Sequence, residues 1–522
     1  MLTTPMTAQM TSPATMPDQV LILNEPLLEF NFHQHLVDPH DGLMLFGPYG
    51  ALTPSHPKSL PYGLIGTDQG IAAFRDWSCR INRAVTVDED RDRQGFKKPN
   101  PKLWPAYPGF ESAFCATWPD NPAWLRELSR PGLLEKAKDL DPYHRAFQVV
   151  NEYVTAIEIA KRRDEALSVI VCVVPEDIWI NCRPASHVIE GTGHKLAREE
   201  RAARQAGQGD LFVPYNPREY EMSVDFRRQI KARVMEYGVP IQIVRESMLR
   251  LTAATKENRR SLTPLPDRAW NLTTTLYYKA GGKPWRLAAA RPGVCYIGIA
   301  FRRTDDPAPR SACCAAQMFL DSGDGIVFLG EFGPWYSPKD KQFHLSRRAA
   351  RSLLAGVLKT YEEMEGRQLT EVFLHSRSDI SGEEFEGYRQ ACPDGVKVVG
   401  VRVRRERHGV RLFRSGTRPV VRGTFWKTTD RTGYLWASGF KPRWETYDGS
   451  ETPIPLRIDI QHGSADIEQV GRDIYALTKL NYNACKLGDA EPVTVGFSDA
   501  VGEILVSNPK IERRSPSFKF YI

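Results

Sequence analysis

The sequence predicts an α/β fold, and three observations carry that expectation. The run Leu167-Ser168-Val169-Ile170-Val171-Cys172-Val173-Val174-Pro175 is almost continuously apolar, as a central parallel strand buried on both faces must be. A helical pattern over Tyr143 to Arg163, with Val149, Val150, Val154 and Ile157 on one stripe, precedes it, and helix followed by buried strand marks an α/β unit. A second such unit begins after Arg291-Pro292-Gly293. It has strands at Cys295 to Phe301, Ala315 to Phe319 and Ile326 to Leu329, a long helix over Ser346 to Glu365, and a strand at Glu371 to His375.

With 522 residues, 41% of them hydrophobic, the chain is long enough for about three domains with large cores. The net charge of +7 is spread over a chain with 25% charged residues, so its excess cations matter only where they cluster. That balance allows a nucleic-acid partner. The nine cysteines show no Cys-x-x-Cys pair, which argues against a zinc site or a disulfide framework and for a reducing cytoplasm. Residues 1–19 read as a flexible tail with neither a basic start nor an apolar run of signal-peptide length, and no run approaches the ~20 apolar residues of a membrane span.

In chain order, Val20 to Leu23 and Glu25 to Phe30 open the ordered part. Asp38 to Gly50, rich in Gly and Pro, reads as short strands and turns. Pro61 to Gly66 is a strand and Gly70 to Arg83 a helix, while Gly191 to Gly209 is charged, helix-prone and solvated. The stretch from Asp225 to Gly282 is the most informative. A helix from about Val224 to Tyr237 puts Phe226, Ile230 and Val234 on one stripe and Arg227 with Lys231 beside it. Ile241 and Ile243 then alternate with Gln242 and Val244 as a strand, and a second helical run from Asn271 closes at Lys279 before Ala280-Gly281-Gly282. Three cations and an amide on two helices and a strand suit a small, multiply charged anion, and a terminal phosphate best of all. A solvated basic helix face would account for Arg227 and Lys231 alone.

The spacing of Arg227, Lys231, Gln242 and Lys279 resembles the MID-domain pocket with which Argonaute proteins hold the 5′ phosphate of a guide strand. That pocket usually reads Tyr-Lys-Gln-Lys, or begins His-Lys in short prokaryotic Argonautes. Arg227 departs from both, adding charge and replacing a stacking ring with a guanidinium plane. Glu25-Pro26, Asp38-Pro39 with Gly42-Leu43, and Phe46-Gly47-Pro48 resemble the opening of short prokaryotic Argonautes, and Val173-Val174-Pro175-Glu176 resembles a strand end of the family. The second half resembles an RNase H-like PIWI domain. The resemblance implies a Rossmann-like MID domain with an N-terminal extension over residues 20–290, a PIWI domain over residues 291–522, and no PAZ domain.

A slicing PIWI domain needs clustered carboxylates to hold two hard cations. Where the family has its first Asp, this chain has Ala300, and the next expected carboxylate position holds Ser378. Asp379 is adjacent, but a one-residue shift beside a strand points a side chain elsewhere. The expectation is therefore no slicing, with His375 and Asp499 structural. Val401-Arg402-Val403-Arg404 alternates so that Arg402 and Arg404 form a row able to track a nucleic-acid backbone, although a basic edge strand that discourages aggregation would look the same. Lys479 and Asn483 are expected on one face of a helix, touching guide phosphates. The aromatic terminus, Phe518 to Ile522, is expected to dock, its terminal carboxylate sharing a structural Mg2+ with the guide phosphate.

The resemblance implies a guide-RNA-binding subunit of a prokaryotic defence complex. It would recognise complementary single-stranded DNA and activate a separate APAZ-containing effector, a TIR or sirtuin-like NADase or a nuclease, against plasmids or phage. Oligomerisation on target binding belongs to the same expectation. Two alternatives are an active guided nuclease and a general nucleic-acid-binding protein.

Overall fold

The computed structural model describes residues 19–86, 102–163, 166–186, 188, 217–251, 263–302, 313–319, 325–330, 333–339, 341–365, 369–447, 449, 451–507 and 517–522. The tail before residue 19 and the charged segment Gly191 to Gly209 lie outside them.

The chain opens with β1 (Gln19–Ile22), β2 (Leu28–Glu29) and β3 (His35–Leu36), followed by helix α1 (Pro39–Phe46). This helix corrects the expectation of strands and turns at Asp38 to Gly50. Asp38 caps it by accepting from His40 N at 3.0 Å, and Pro39 occupies the first helical position, where its missing N–H costs nothing. Gly42 sits inside the helix because the Phe30 ring lies against it; a Cβ there would be 2.1 Å from Phe30 Cζ.

The first large sheet is built from β4 (Tyr62–Gly66), β5 (Trp124–Glu127), β6 (Val169–Val174) and β7 (Ile241–Arg245), in the order β5-β4-β6-β7 and parallel throughout. Every residue of β6 is buried, as its apolar run requires. Helices α2 (Asp68–Ile81) and α3 (Pro142–Lys161) connect these strands, and α4 (Phe226–Val234) leads into β7. Helix α5 (Leu265–Lys279) follows, and β8 (Arg286–Leu287) returns to pair with β2.

The second sheet takes β9 (Val294–Arg302), β10 (Cys313–Phe319) and β11 (Gly325–Leu329) as an antiparallel meander. A small ribbon, β12 (Tyr336–Ser337) with β13 (Gln342–Phe343), precedes α6 (Arg347–Glu365). Then come β14 (Glu371–Ser376), α7 (Gly382–Ala391), β15 (Lys397–Arg405), β16 (Thr424–Lys427), β17 (Thr432–Trp436), β18 (Leu456–His462), α8 (Ile467–Leu477) and α9 (Val493–Val506). The nine strands run in the order β1-β16-β17-β18-β15-β14-β9-β10-β11. Strands β9, β14 and β15 are parallel, with Ile299, Ser376 and Arg402 in one row. Strand β1 therefore closes the edge of the second sheet, far in sequence from its partner β16.

One apolar core joins the two halves, bringing Trp270 and Tyr277 of α5 together with Val501, Ile504 and Leu505 of α9 and with Phe518, Tyr521 and Ile522. Helix α9 lies so close to β9 that a Cβ on Gly298 would stand 1.8 Å from Thr494 O. Gly298→Ala must push the start of α9 off the sheet, a cost at or above the ~1–3 kcal/mol of ordinary overpacking. Its thermal midpoint is expected several degrees below that of the parent, and an unchanged midpoint would contradict this packing.

Candidate functional site

Helix α4, strand β7 and the end of α5 meet the last residues of the described chain. Asp225 caps α4, accepting from Arg228 N at 3.0 Å. Phe226, Ile230 and Val234 are buried as the spacing predicts, and their burial carries the neighbouring Lys231 inward, to 3% exposure. Arg227, one turn earlier, is half-buried. Helix α5 ends at Lys279, 1% exposed, because Gly281 adopts φ +98° and lets Gly281 N and Gly282 N donate back to Tyr278 O and Tyr277 O.

Lys279 Nζ donates to Ile241 O and to Gln242 Oε1, each at 2.7 Å, and Gln242 Nε2 donates to Ile243 O at 3.0 Å. Lys231 Nζ donates to Tyr521 O at 3.0 Å and to the main-chain oxygen of Ile522. The terminal segment docks as expected, with Phe518, Phe520, Tyr521 and Ile522 all buried. The structure thus brings Arg227, Lys231, Gln242, Lys279 and Ile522 to one place.

The electrostatics of that place are lopsided. Among the described residues no side-chain carboxylate pairs with Lys231 or Lys279. The acids nearest Arg227, Asp225 and Glu503, are already engaged with the cap and with Arg228 and Arg302. Burial, then Arg227, lowers the Lys279 ammonium to a pKa of about 7, and burial together with Arg227 and Lys279 pushes Lys231 well below the ordinary lysine range. Buried cations without a side-chain counter-charge are costly, and a polyanion that entered here would relieve all three at once.

The expected Mg2+ fits this donor set poorly. Gln242 Oε1 and the Ile522 oxygen each already accept from a lysine ammonium, and three cations repel a divalent ion.

The other expected contacts are distributed differently. Helix α8 ends at Leu477, so Lys479 and Asn483 do not share a helical face. The chain turns there because Thr478 O accepts from Asp489 N at 2.8 Å and Lys479 O from Trp285 Nε1 at 3.0 Å. Lys479 Nζ is buried against Glu25 Oε1 at 3.0 Å and Val37 O at 2.6 Å, while Asn483 is an exposed loop residue. On β15 the valines face inward and Arg402 and Arg404 share the other face, as the alternation predicts. Arg402, however, is held inside the chain between Asp379 and Asp459, at 2.8 Å from the latter. Arg404 stays 43% exposed, with a long contact to Glu406 at 3.9 Å and an electrostatic attraction to Asp379.

Ala300 lies on β9 and Ser378 just past the end of β14. Asp379 accepts from Arg402, Gln342 and Gln461; although burial alone would raise it, these donors hold its carboxyl below the usual range. His375 is buried, Nδ1 2.9 Å from Thr494 Oγ1, and burial pushes its imidazole down to about 3, so it is neutral. Asp499 pairs with Arg377 and Arg302. Among the described residues no three His, Cys, Asp or Glu side chains are grouped to hold a metal ion. Sequence reasoning missed the partnership of Glu25 with Arg422 and Lys479, for which the only signal was the Glu25-Pro26 phrase.

No protein-family model matches the sequence, and no curated protein matches it. Among solved structures the chain is similar to Clostridium butyricum Argonaute bound to a guide DNA (5′ deoxycytidine) and a 19-mer target DNA, with 14% identity and a TM-score of 0.60 over 97% of this chain and 55% of that one. It is also similar to A. aeolicus Argonaute, with 12% identity and a TM-score of 0.54 over 96% of this chain and 55% of that one. Aa-Ago with externally bound siRNA gives the same figures. This chain has the fold of an Argonaute MID–PIWI half and spans about half the length of those structures. No described helix is long and apolar enough to cross a membrane.

Proposed function

We propose that this chain is a short Argonaute that binds a guide RNA by its 5′ phosphate and presents it for pairing with single-stranded target DNA. The observation that carries this reading is the cluster of Arg227, Lys231 and Lys279, buried or half-buried, with no side-chain carboxylate paired to either lysine among the described residues, and oriented by Gln242 and the chain's last residues. Base pairing supplies sequence specificity, so the protein needs only phosphate contacts and recognition of duplex shape. Ala300 and Ser378 stand where a slicing site would need carboxylates, which favours a sensor whose output lies in a partner. That partner is an APAZ-containing effector, an NADase or a nuclease, activated when guide and target pair, in defence against plasmids or phage.

The test is binding of the purified chain to RNAs identical except for a 5′ phosphate or 5′ hydroxyl, followed by co-expression with its APAZ neighbour and assay of NAD consumption and nucleic-acid cleavage. Equal binding of the two RNAs would leave only a general nucleic-acid-binding protein, and metal-dependent cutting of the paired target by the chain alone would make it a nuclease.

The phosphate preference should depend on pH with a definite sign. Free Lys279 loses its proton near pH 7, and a bound dianion restores it, so binding takes up a proton above that pH. Preference for the 5′ phosphate is expected to fall by up to about tenfold per pH unit above about 7. It should also weaken below about 6, where the phosphate itself takes a proton. A preference that stays flat from neutral to alkaline pH would contradict the role of Lys279.

A further inference from the structure

The loop of residues 406–419, which follows β15, has no assigned role. From Arg402 to Arg418 the sequence has Arg402, Arg404, Arg405, Arg407, Arg411, Arg414 and Arg418 against the single acid Glu406. Arg411 is occupied in folding the loop: Nη1 donates to Val410 O at 2.9 Å and Nη2 to Arg407 O at 2.6 Å. Gly416, at φ +94°, makes the turn that lets Arg414 Nε donate to Arg418 O at 3.3 Å. The guanidinium carbons of Arg414 and Arg418 then lie 5.1 and 4.7 Å from the Phe440 ring centroid, which gathers both cations at one aromatic ring. Arg407, Arg414 and Arg418 have no ion pair among the described residues, and Glu445, an acid that Arg418 influences, is paired with Lys102 at 3.1 Å. At the tip of this basic loop, Phe413 is 75% exposed.

We propose that this loop is a second nucleic-acid contact, in which Phe413 stacks on an unpaired base while Arg407, Arg414 and Arg418 hold the adjoining phosphates. A phenyl ring offers a sequence-tolerant face to any base, and flanking guanidinium groups are the complement that a single strand needs. The topology places the contact usefully. Strands β9, β14 and β15 are parallel, so the loop leaves the sheet at the same end as Ala300 and Ser378. A strand crossing that end would meet Arg404 and then the loop. Only the identity of the strand, guide or target, rests on the guide-binding reading above.

The test uses the full chain and single-stranded DNA of mixed sequence carrying 2-aminopurine, whose fluorescence is quenched by stacking. Phe413→Ala is expected to weaken binding about tenfold and to abolish the quench, Phe413→Trp to retain both, and Phe413→Leu to behave as Ala. The triple Arg407→Ala, Arg414→Ala, Arg418→Ala variant should lower the slope of log affinity against log salt by about 2. Because these side chains are exposed and their contacts with Phe440 are worth little at an exposed site, thermal midpoints should move only slightly. Preference for a 5′-phosphorylated RNA is read on the same proteins; its absence from the parent would sink the guide-binding reading and leave the loop's test standing. If Phe413→Ala binds and quenches as the parent does, the proposal falls. It also falls if Leu substitutes fully for Phe, or if Phe413 matters only for binding vesicles of anionic lipid.

Discussion

Lys279→Met and Lys231→Met should each abolish discrimination between 5′-phosphorylated and 5′-hydroxyl strands while leaving the free protein as stable as the parent or more so. Each ammonium would give a phosphate charge-assisted hydrogen bonds of ~1.5–3 kcal/mol apiece, so affinity for the phosphorylated strand should drop by about 10- to 150-fold per lysine. Binding of the hydroxyl strand should hardly change. The stability half of the expectation separates a ligand site from a structural one. Both lysines are buried, donate to main-chain oxygens, the terminal group of Ile522 and an amide rather than to a side-chain carboxylate, and titrate below the ordinary lysine range. A lysine whose pKa is lowered by folding opposes folding below its unfolded value; that penalty shrinks as pH rises from about 7 toward about 10.4 for Lys279. Methionine removes the charge at similar volume. The measurements are affinity for the two RNAs and the thermal midpoint without ligand; a large fall in midpoint with the phosphate preference intact would show that these lysines only hold the fold.

The parts of this arrangement that were legible in the sequence are local or periodic. Arg227 and Lys231 lie one helical turn apart, Gln242 follows a proline break, and Lys279 precedes the glycines that end its helix. Residues close in sequence thus encode most of the pocket. Its closure by Tyr521 and Ile522 came from the family resemblance, since no local pattern ties them to Lys231. The helical face expected for Lys479 and Asn483 is absent because the environment of Lys479 is set by Glu25, 454 residues away, and by Trp285, which captures the carbonyl that a continuing helix would have used. Arg402 has the alternation of a surface row, yet Asp379 and Asp459 arrive from other segments to neutralise it. Helix α1 was obscured for a related reason: Gly42 argues locally against a helix, and only the Phe30 ring packed against it explains why glycine is there.

Glu25→Ala should cost roughly 3–5 kcal/mol, the penalty of stripping the counter-charge from buried cations. Glu25 faces Arg422, 2% exposed, with Nε 3.1 Å from Oε2, and Lys479, 0% exposed, at 3.0 Å, and Tyr475 OH donates to it at 2.6 Å. Burial works against its charge, but Arg422 and Lys479 prevail and keep its carboxyl below the usual range. Its contribution to stability is therefore present above its unfolded pKa and is lost as pH falls through the lowered folded value. Burial lowers Lys479 to about 8 even with Glu25 beside it, so that lysine opposes folding at neutral pH, and its penalty eases between about 8 and 10.4. Lys479→Met should accordingly cost much less than Glu25→Ala, because Arg422 and Tyr475 still satisfy the carboxylate. The two substitutions should also be non-additive, since removing Lys479 leaves one fewer stranded cation when Glu25 is lost. The network fastens the segment after β1 to the loop that follows α8, so early proteolysis of the Glu25→Ala chain near its N-terminal strand should accompany the lowered denaturation midpoint. If Lys479 instead serves a bound strand directly, Lys479→Met will weaken nucleic-acid binding with no coupling to Glu25 in stability. Equilibrium denaturation of the two single variants and the double variant, run beside their RNA affinities, decides between the two roles.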